Sequence, residues 1–312
     1  MSFRYRFIVN PASRGGALRK EWPSIEETLR RELGTFEKEF TTEKGSAIRL
    51  AQDALLDGVD VVVAVGGDGT INEVVNGFFK EQKPLAVKQS LGFLPFGTGG
   101  DFKRTLGLDS DIQRSARVLK GAKTRTCDVG KIGYTEFDGG ESSRYFLNIA
   151  SFGLSGLVDQ IANDSSKRWG GKASFFMASA KASLQYSNQR VQLIFDKDVS
   201  STAELTIQTV AVCNGQFFGG GMHVAPKAQI DDGRFDVTAI GDLSKLEVLK
   251  LGTKIYKGNH LSMTKVTSKQ CSELEALPLT GKDVLIDVDG EALGKLPATF
   301  SIKKDAIDII TP

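Results

Sequence analysis

The sequence predicts two domains: an α/β N-terminal domain with an open parallel sheet over residues 1–125, then a C-terminal, mainly antiparallel β-sandwich domain over 126–294. Three observations carry this prediction. The 312 residues suit two domains of about 150 each. The first 125 or so alternate strand-like and helix-like segments, the order that builds a parallel sheet. After about Thr126, short strand-like segments dominate, separated by Gly, Asp and Asn turns.

Taken in order, residues 7–9 form a short strand that runs into the turn 10–16, Asn-Pro-Ala-Ser-Arg-Gly-Gly. Helical spacing follows over 25–33, a second strand is expected near 36–41, and a helix over 46–56. Residues 59–65 are Val-rich and unbroken from Val61, as expected of a strand buried on both faces of a parallel sheet. Val74, Val75, Phe78 and Phe79 give 71–79 helical spacing, and 91–94 reads as another buried strand before a loop and a helix through Leu106. In the second half, strands are expected at 144–149, 191–195, 205–212, 234–240 and 284–289, with helices at 172–186 and 246–255.

Composition excludes several classes. Forty Lys and Arg against 38 Asp and Glu leave a charge of +2, so no nucleic-acid partner is expected. The longest apolar run is Val61 to Val65, whereas a membrane helix needs roughly 20 residues. The start, MSFRYRFIVNP, has no apolar segment of the secretory kind. Cys127, Cys213 and Cys271 are far apart with no CxxC, which fits reduced thiols and a cytoplasmic location. With His223 and His260 the only histidines, a His-rich zinc site is excluded, and structural roles are expected for both. Glycine stands out at 34 of 312 residues, against a usual share of ~7 %. Such an excess points to tight turns and close backbone approaches to a ligand.

The sharpest motif is Gly66-Gly67-Asp68-Gly69-Thr70-Ile71-Asn72-Glu73, at the carboxyl end of a buried strand and opening a helix. Ligands of α/β sheets bind at that end, where glycines let N–H groups reach phosphates. An Asp there would repel a phosphate, so Asp68 implies Mg²⁺ or a hydrogen-bonding role; a glycine-rich turn with no ligand is the plain alternative. The loop 94–104, LPFGTGGDFKR, follows another buried strand, and Arg14 in the first loop reads as part of a solvated basic turn or as a holder of an anionic group. Three such loops after strands of one sheet describe a nucleotide site better than any one alone. Further on, Asp231-Asp232-Gly233 and Asp287-Val288-Asp289-Gly290-Glu291 read as turns or as carboxylates for phosphoryl transfer. In an extended segment Asp289 and Glu291, two apart, would share a face.

GGDGTINEVVNG, LPFGTGGDFKR, the 10–16 loop, NGQFFGGGMHVAPKAQIDDGRFDV and DGE together resemble the diacylglycerol kinase catalytic family, over nearly the whole chain and in the family's order. The likeness is to its soluble bacterial lipid kinases, which also resemble sphingosine and ceramide kinases, and whose N-terminal fold is that of NAD kinases. The resemblance implies an ATP- and Mg²⁺-dependent kinase that phosphorylates a lipid hydroxyl, most simply that of diacylglycerol, with ATP between the two domains. Carried onto matching positions, it implies that Asn10, Pro11, Ala12, Ser13, Arg14, Thr41, the whole of Gly66 to Glu73, Thr98 and Asp101 contact ATP. It implies Glu291 as general base with Asp289 beside it, and Asp68 as organiser of catalytic Mg²⁺. The resemblance also implies Arg104 and Asp128 as supporting members of the cleft. A structural Mg²⁺ is implied at Asp232 with the backbone carbonyls of Gln229 and Arg234, oxygen ligands that suit a hard cation. The last strand, from about 295 to 312, is expected to return to the first domain. One departure stands out: Gly100 occupies a place where many relatives carry Asn.

The implied partner is a lipid at a membrane surface, with peripheral association at the inner face; homodimers occur among similar proteins. Residues 165–190 hold five Lys or Arg and no acid, along with Trp169, Phe175, Phe176 and Met177. They read as a cationic, apolar membrane-facing surface or as a helix packed on the β domain with a solvated basic face. The alternatives in function are an NAD kinase-like enzyme and a non-catalytic lipid- or nucleotide-binding regulator.

Overall fold

A computed structural model describes residues 3–81, 83–85, 88–97, 100–164 and 186–312. These fall into two units, Met1–Asp128 with Asp305–Pro312, and Val129–Lys304. The first unit runs β1 (Tyr5–Val9), α1 (Ser13–Leu33), β2 (Glu37–Phe40), α2 (Ser46–Leu56), β3 (Val61–Gly66), α3 (Asp68–Gly77), the two-residue strands β4 (Phe79–Lys80) and β5 (Lys83–Pro84), β6 (Ser90–Pro95), α4 (Asp101–Thr105) and α5 (Ile112–Gly121). β1 pairs in parallel with β2 and β3, and β3 in parallel with β6, while β4 and β5 form a separate antiparallel ribbon.

Alternation along the strands explains the layers. Phe7, Val9, Val61, Val63 and Val65 share one core with Leu18, Trp22, Leu29 and Leu119 of α1 and α5. Ile8, Val62 and Ala64 point to the opposite face and are equally buried. Both faces are therefore covered, which is why the Val run has no polar interruption. Arg6 is the buried exception, and the Glu37 and Asp57 carboxylates neutralise it.

The second unit begins within β7 (Thr124–Thr135) and continues through β8 (Glu141–Phe146), β9 (Ile149–Gly153), α6 (Leu154–Asp164), β10 (Gln189–Phe195), β11 (Thr202–Cys213), β12 (Phe235–Gly241), α7 (Lys245–Ile255), β13 (Val266–Cys271), β14 (Glu273–Pro278), β15 (Leu285–Val288) and β16 (Glu291–Ile310). Its pairings are antiparallel: β13 to β12, β12 to β11, β11 to both β10 and β9, β10 to β14, and β14 and β15 to β16. Phe146, Phe152, Phe235 and Phe300 fill the core, two pairs of them stacked.

Three sequence expectations are corrected. The strand expected over 144–149 is two strands, because the amides of Leu147, Asn148 and Ile149 turn toward the Asp289 carboxylate and leave the ladder. The chain returns to the first unit at Asp305 and not at about 295, since residues up to Ser301 are paired to β14 and β15. Asp308 and Ile309 then pair in parallel with Ser90 and Leu91 of β6. Finally, α5 and α6 were not expected at all. The helix predicted at 172–186 lies outside the described residues, Tyr186 excepted.

Helices α2 and α3 approach so closely at Gly77 that an added Cβ would sit 2.5 Å from the Ala51 Cβ and 2.6 Å from the Ile48 carbonyl oxygen. Gly77→Ala is expected to cost about 1–3 kcal/mol by forcing the pair apart, read as a lower urea midpoint.

Candidate active site

In the first unit, three loops after β1, β3 and β6 are tied to one another. Asn10 donates from Nδ2 to Thr70 Oγ1 (2.9 Å) and accepts at Oδ1 from the Ala12 N–H (3.0 Å). Phe96 N–H donates to the Gly66 carbonyl at 2.7 Å. At Gly97 a Cβ would lie 2.6 Å from the Gly67 Cα, so only glycine permits this backbone contact. Arg14, Gly15 and Gly16 are left-handed in succession (φ 53°, 65° and 86°), and the Arg14 guanidinium lies 4.8 Å from the centre of the Phe96 ring. The first turn of α1 is therefore irregular, and regular helix begins after Gly16.

Asp68 is the hinge of this arrangement. Its Oδ2 accepts the N–H groups of Gly100 (2.9 Å) and Asp101 (3.4 Å), while Oδ1 is buried with no hydrogen-bond partner. Burial, and after it the charge of Asp101, push the Asp68 carboxyl above its ordinary value. Asp101 itself is buried, and its Oδ1 accepts from Arg104 at 2.8 Å. Gly100 caps α4 in the left-handed region (φ 64°), a conformation that asparagine also tolerates.

The sequence-predicted nucleotide contacts separate by environment. Pro11, Ala12, Ser13, Arg14 and Thr41 keep some exposure, as do Gly67, Asp68 and Gly69. Ile71, Asn72 and Glu73 are buried in the α3 packing face. The Glu73 carboxylate accepts from the N–H groups of Gly45 (2.9 Å) and Ala47 (3.2 Å), capping α2 from a distance. Thr98 lies outside the described residues. Asp128 is fully buried and accepts from the Asp305 N–H at 2.8 Å.

In the second unit, the expectation that Asp289 and Glu291 share an extended face is corrected. Asp289 and Gly290 are both left-handed (φ 49° and 87°), forming a two-residue turn between the paired Val288 and Glu291. The Asp289 carboxylate turns away from the strand and accepts from Leu147 (3.3 Å), Asn148 (3.3 Å) and Ile149 (3.0 Å). Glu291 Oε2 stands 3.7 Å from an Arg144 guanidinium nitrogen, with both side chains mostly buried. Asp287 accepts from the Gly290 N–H (2.9 Å) and from the Ser151 hydroxyl (3.1 Å). Sequence reasoning missed Arg144, Asn148, Ser151 and Asn214. Of these Asn214 had a signal, the Asn-Gly at the start of the glycine-rich stretch, and its side chain donates to the Leu147 carbonyl at 2.7 Å.

At the Asp-Asp-Gly turn, Asp232 Oδ1 accepts from the Arg234 N–H at 2.9 Å. Burial, reinforced by Asp236 and Asp231, raises its carboxyl above the usual value despite the opposing pull of Arg234. Among the described residues no three His, Cys, Asp or Glu side chains cluster as a metal site. His223 stacks on Phe217 and pairs through Nε2 with Gln216 (3.2 Å), and buried His260 pairs with the Val224 carbonyl (3.0 Å). Both histidines thus hold loops. No disulfide joins the three buried cysteines. Of the basic stretch 165–190, residues 165–185 lie outside the described residues.

Comparison with known proteins places these parts in a family. The diacylglycerol kinase catalytic domain matches residues 4–132, and the YegS C-terminal NAD kinase beta sandwich-like domain matches residues 148–311. A diacylglycerol kinase of Staphylococcus saprophyticus is 31% identical over 315 residues, with 100% of this chain and 96% of that protein covered. One from Staphylococcus aureus (strain bovine RF122) is 30% identical, covering 100% and 93%. Among solved structures, a diacylglycerol kinase from Bacillus anthracis str. Sterne superposes with a TM-score of 0.69 at 20% identity, covering 100% of this chain and 98% of that one. Yeast NADH kinase complexed with NADH gives 0.55 at 13%, covering 100% and 84%. These two likenesses concern the fold. The full-length sequence matches reach further: the chain belongs to the diacylglycerol kinase catalytic domain family.

Proposed function

We propose that the protein is an ATP- and Mg²⁺-dependent lipid kinase that moves the γ-phosphate of ATP to the hydroxyl of diacylglycerol or a related lipid. The observation that carries the reading is Asp68, a carboxylate in a glycine-rich strand-to-helix loop with one oxygen holding a neighbouring loop and the other buried and unpartnered. Such an oxygen fits a hard divalent cation, and the bound ion supplies neutralisation of phosphate charge. The acceptor class is supported by the relatives named diacylglycerol kinase.

In this reading the first unit is an open parallel sheet that offers ATP the carboxyl ends of β1, β3 and β6. Backbone N–H groups of the glycine loops face the phosphates, with Arg14 as a cation held over Phe96. Glu291 of the second unit takes the proton of the lipid hydroxyl. The lipid oxygen bonds to the γ-phosphorus, the bond from that phosphorus to the ADP oxygen breaks, and ADP leaves. A structural Mg²⁺ at Asp232, with the carbonyls of Gln229 and Arg234, is part of the same reading, supported by the oxygen-only character of those ligands, which suits a hard cation. In this reading the lipid is met at a membrane surface; no helix among the described residues is long and apolar enough to cross a membrane.

Labelled ATP with Mg²⁺ and mixed micelles of diacylglycerol, monoacylglycerol, sphingosine, ceramide or phosphatidylglycerol tests this directly, with NAD as the soluble control. Labelled phosphatidate is the expected product, and labelled NADP would overturn the reading. Glu291→Gln should lower kcat at least about a hundredfold, the ordinary worth of a general base. Gly97→Ala, by pushing Gly67 away, should weaken ATP binding about tenfold or more in a calorimetric titration. The atoms nearest an added Cβ at Gly100 belong to the flexible Lys103 side chain and asparagine tolerates the left-handed backbone there, so Gly100→Asn should cost about 1 kcal/mol or less. The added amide should lower the KM for ATP about threefold, the worth of one modest hydrogen bond.

A further inference from the structure

We infer that Asp289 is a positioning residue for Glu291 and does not itself accept the substrate proton; this rests on the reading of Glu291 as the base. Three successive backbone N–H groups, those of Leu147, Asn148 and Ile149, point at the Asp289 carboxylate, with both of its oxygens engaged. Successive amides of an ordinary strand point in opposite directions, so this convergence exists only because the chain breaks between β8 and β9. The Asp289 N–H in turn donates to the Ile149 carbonyl at 3.0 Å. The turn is thus gripped by side chain and backbone from the same three residues.

That grip extends on both sides. The Asn148 backbone carbonyl accepts from the N–H groups of Asn214 (2.9 Å) and Gly215 (2.8 Å), and the Asn148 side-chain Nδ2 donates to the Phe217 carbonyl at 2.9 Å. On the turn itself, Gly290 donates to Asp287, which the Ser151 hydroxyl holds from β9. Directly after the turn, Glu291 begins β16 within ion-pair range of Arg144 on β8. The β8–β9 break, through Asp289, fixes where the Glu291 backbone starts, and the neighbouring end of β8 supplies its counter-charge. Asp289 faces the protein's own amides, while Glu291 follows on the strand that leaves the turn.

Asparagine and alanine separate the two roles. Asp289→Asn keeps one oxygen for the Asn148 and Ile149 amides but has no basicity, whereas Asp289→Ala removes both. A positioning role predicts a graded loss: kcat falls less than tenfold in Asp289→Asn and about a hundredfold in Asp289→Ala, with the KM for ATP unchanged in each. Amide exchange of Leu147, Asn148 and Ile149 should quicken at least tenfold in Asp289→Ala and stay unchanged in Glu291→Gln. Should Asp289→Ala fail to fold, Asp289→Asn alone decides. An Asp289→Asn enzyme that folds, keeps slow exchange at those amides and is as inactive as Glu291→Gln overturns the inference. Wild-type turnover by Glu291→Gln overturns the reading beneath it, whatever the Asp289 variants do.

Discussion

Backbone N–H groups left over where regular structure ends must find acceptors, and in this protein carboxylates meet that demand. Asp68 takes the amides that open α4, Glu73 those that open α2, and Asp289 those exposed where β8 gives way to β9. Asp196 does the same for Ser272 and Glu273 between β13 and β14. In each case a single side chain, distant in sequence, fixes a loop that no ladder could hold. An unpaired buried amide costs more than an average hydrogen bond gains, so these carboxylates set the loop shapes on which ligand chemistry depends.

Loop precision in the first unit has a second source, the absence of side chains. Gly67 and Gly97 let two chain segments meet at backbone distance, and Gly66 leaves room for the Thr70 and Ser13 hydroxyls. The strands beneath are rigid because both of their faces are buried. In the proposed function, a stiff sheet with tightly meshed loops would offer phosphate groups preset N–H donors, leaving little ordering to be done on binding. Asp68 then contributes one oxygen to cohesion and keeps one in reserve.

Much of this could be read from the sequence where the signal is local. The Val61–Val65 run announced a doubly buried strand, Asp-Gly at 289–290 announced a tight turn, and helix α2 occupies the span its spacing predicted. What stayed hidden depends on partners far along the chain. Nothing near Phe146 signals that the strand must break there, because the acceptor responsible is Asp289, more than a hundred residues later. Glu73 looks like a member of a phosphate loop, yet its carboxylate serves Gly45 and Ala47. Arg144 is one arginine on an amphipathic strand, without a motif to set it apart. Helix α5 has an Asp111 cap but no acidic residue three positions on, which made its start easy to overlook.

The passage of the chain through Asp128 and back at Asp305 carries a consequence for biogenesis. The second unit is one unbroken stretch inserted into the first, and the two crossing strands are joined by the bond from the Asp305 amide to the Asp128 carboxylate. On the ribosome, residues 1–128 emerge early but lack the strand that covers the β6 edge, which Asp308 and Ile309 supply only after residues 129–304 have been made. The inserted unit has all its strands in hand before the first is finished. Until then β6 presents an uncovered hydrophobic edge, the kind of surface that chaperones hold.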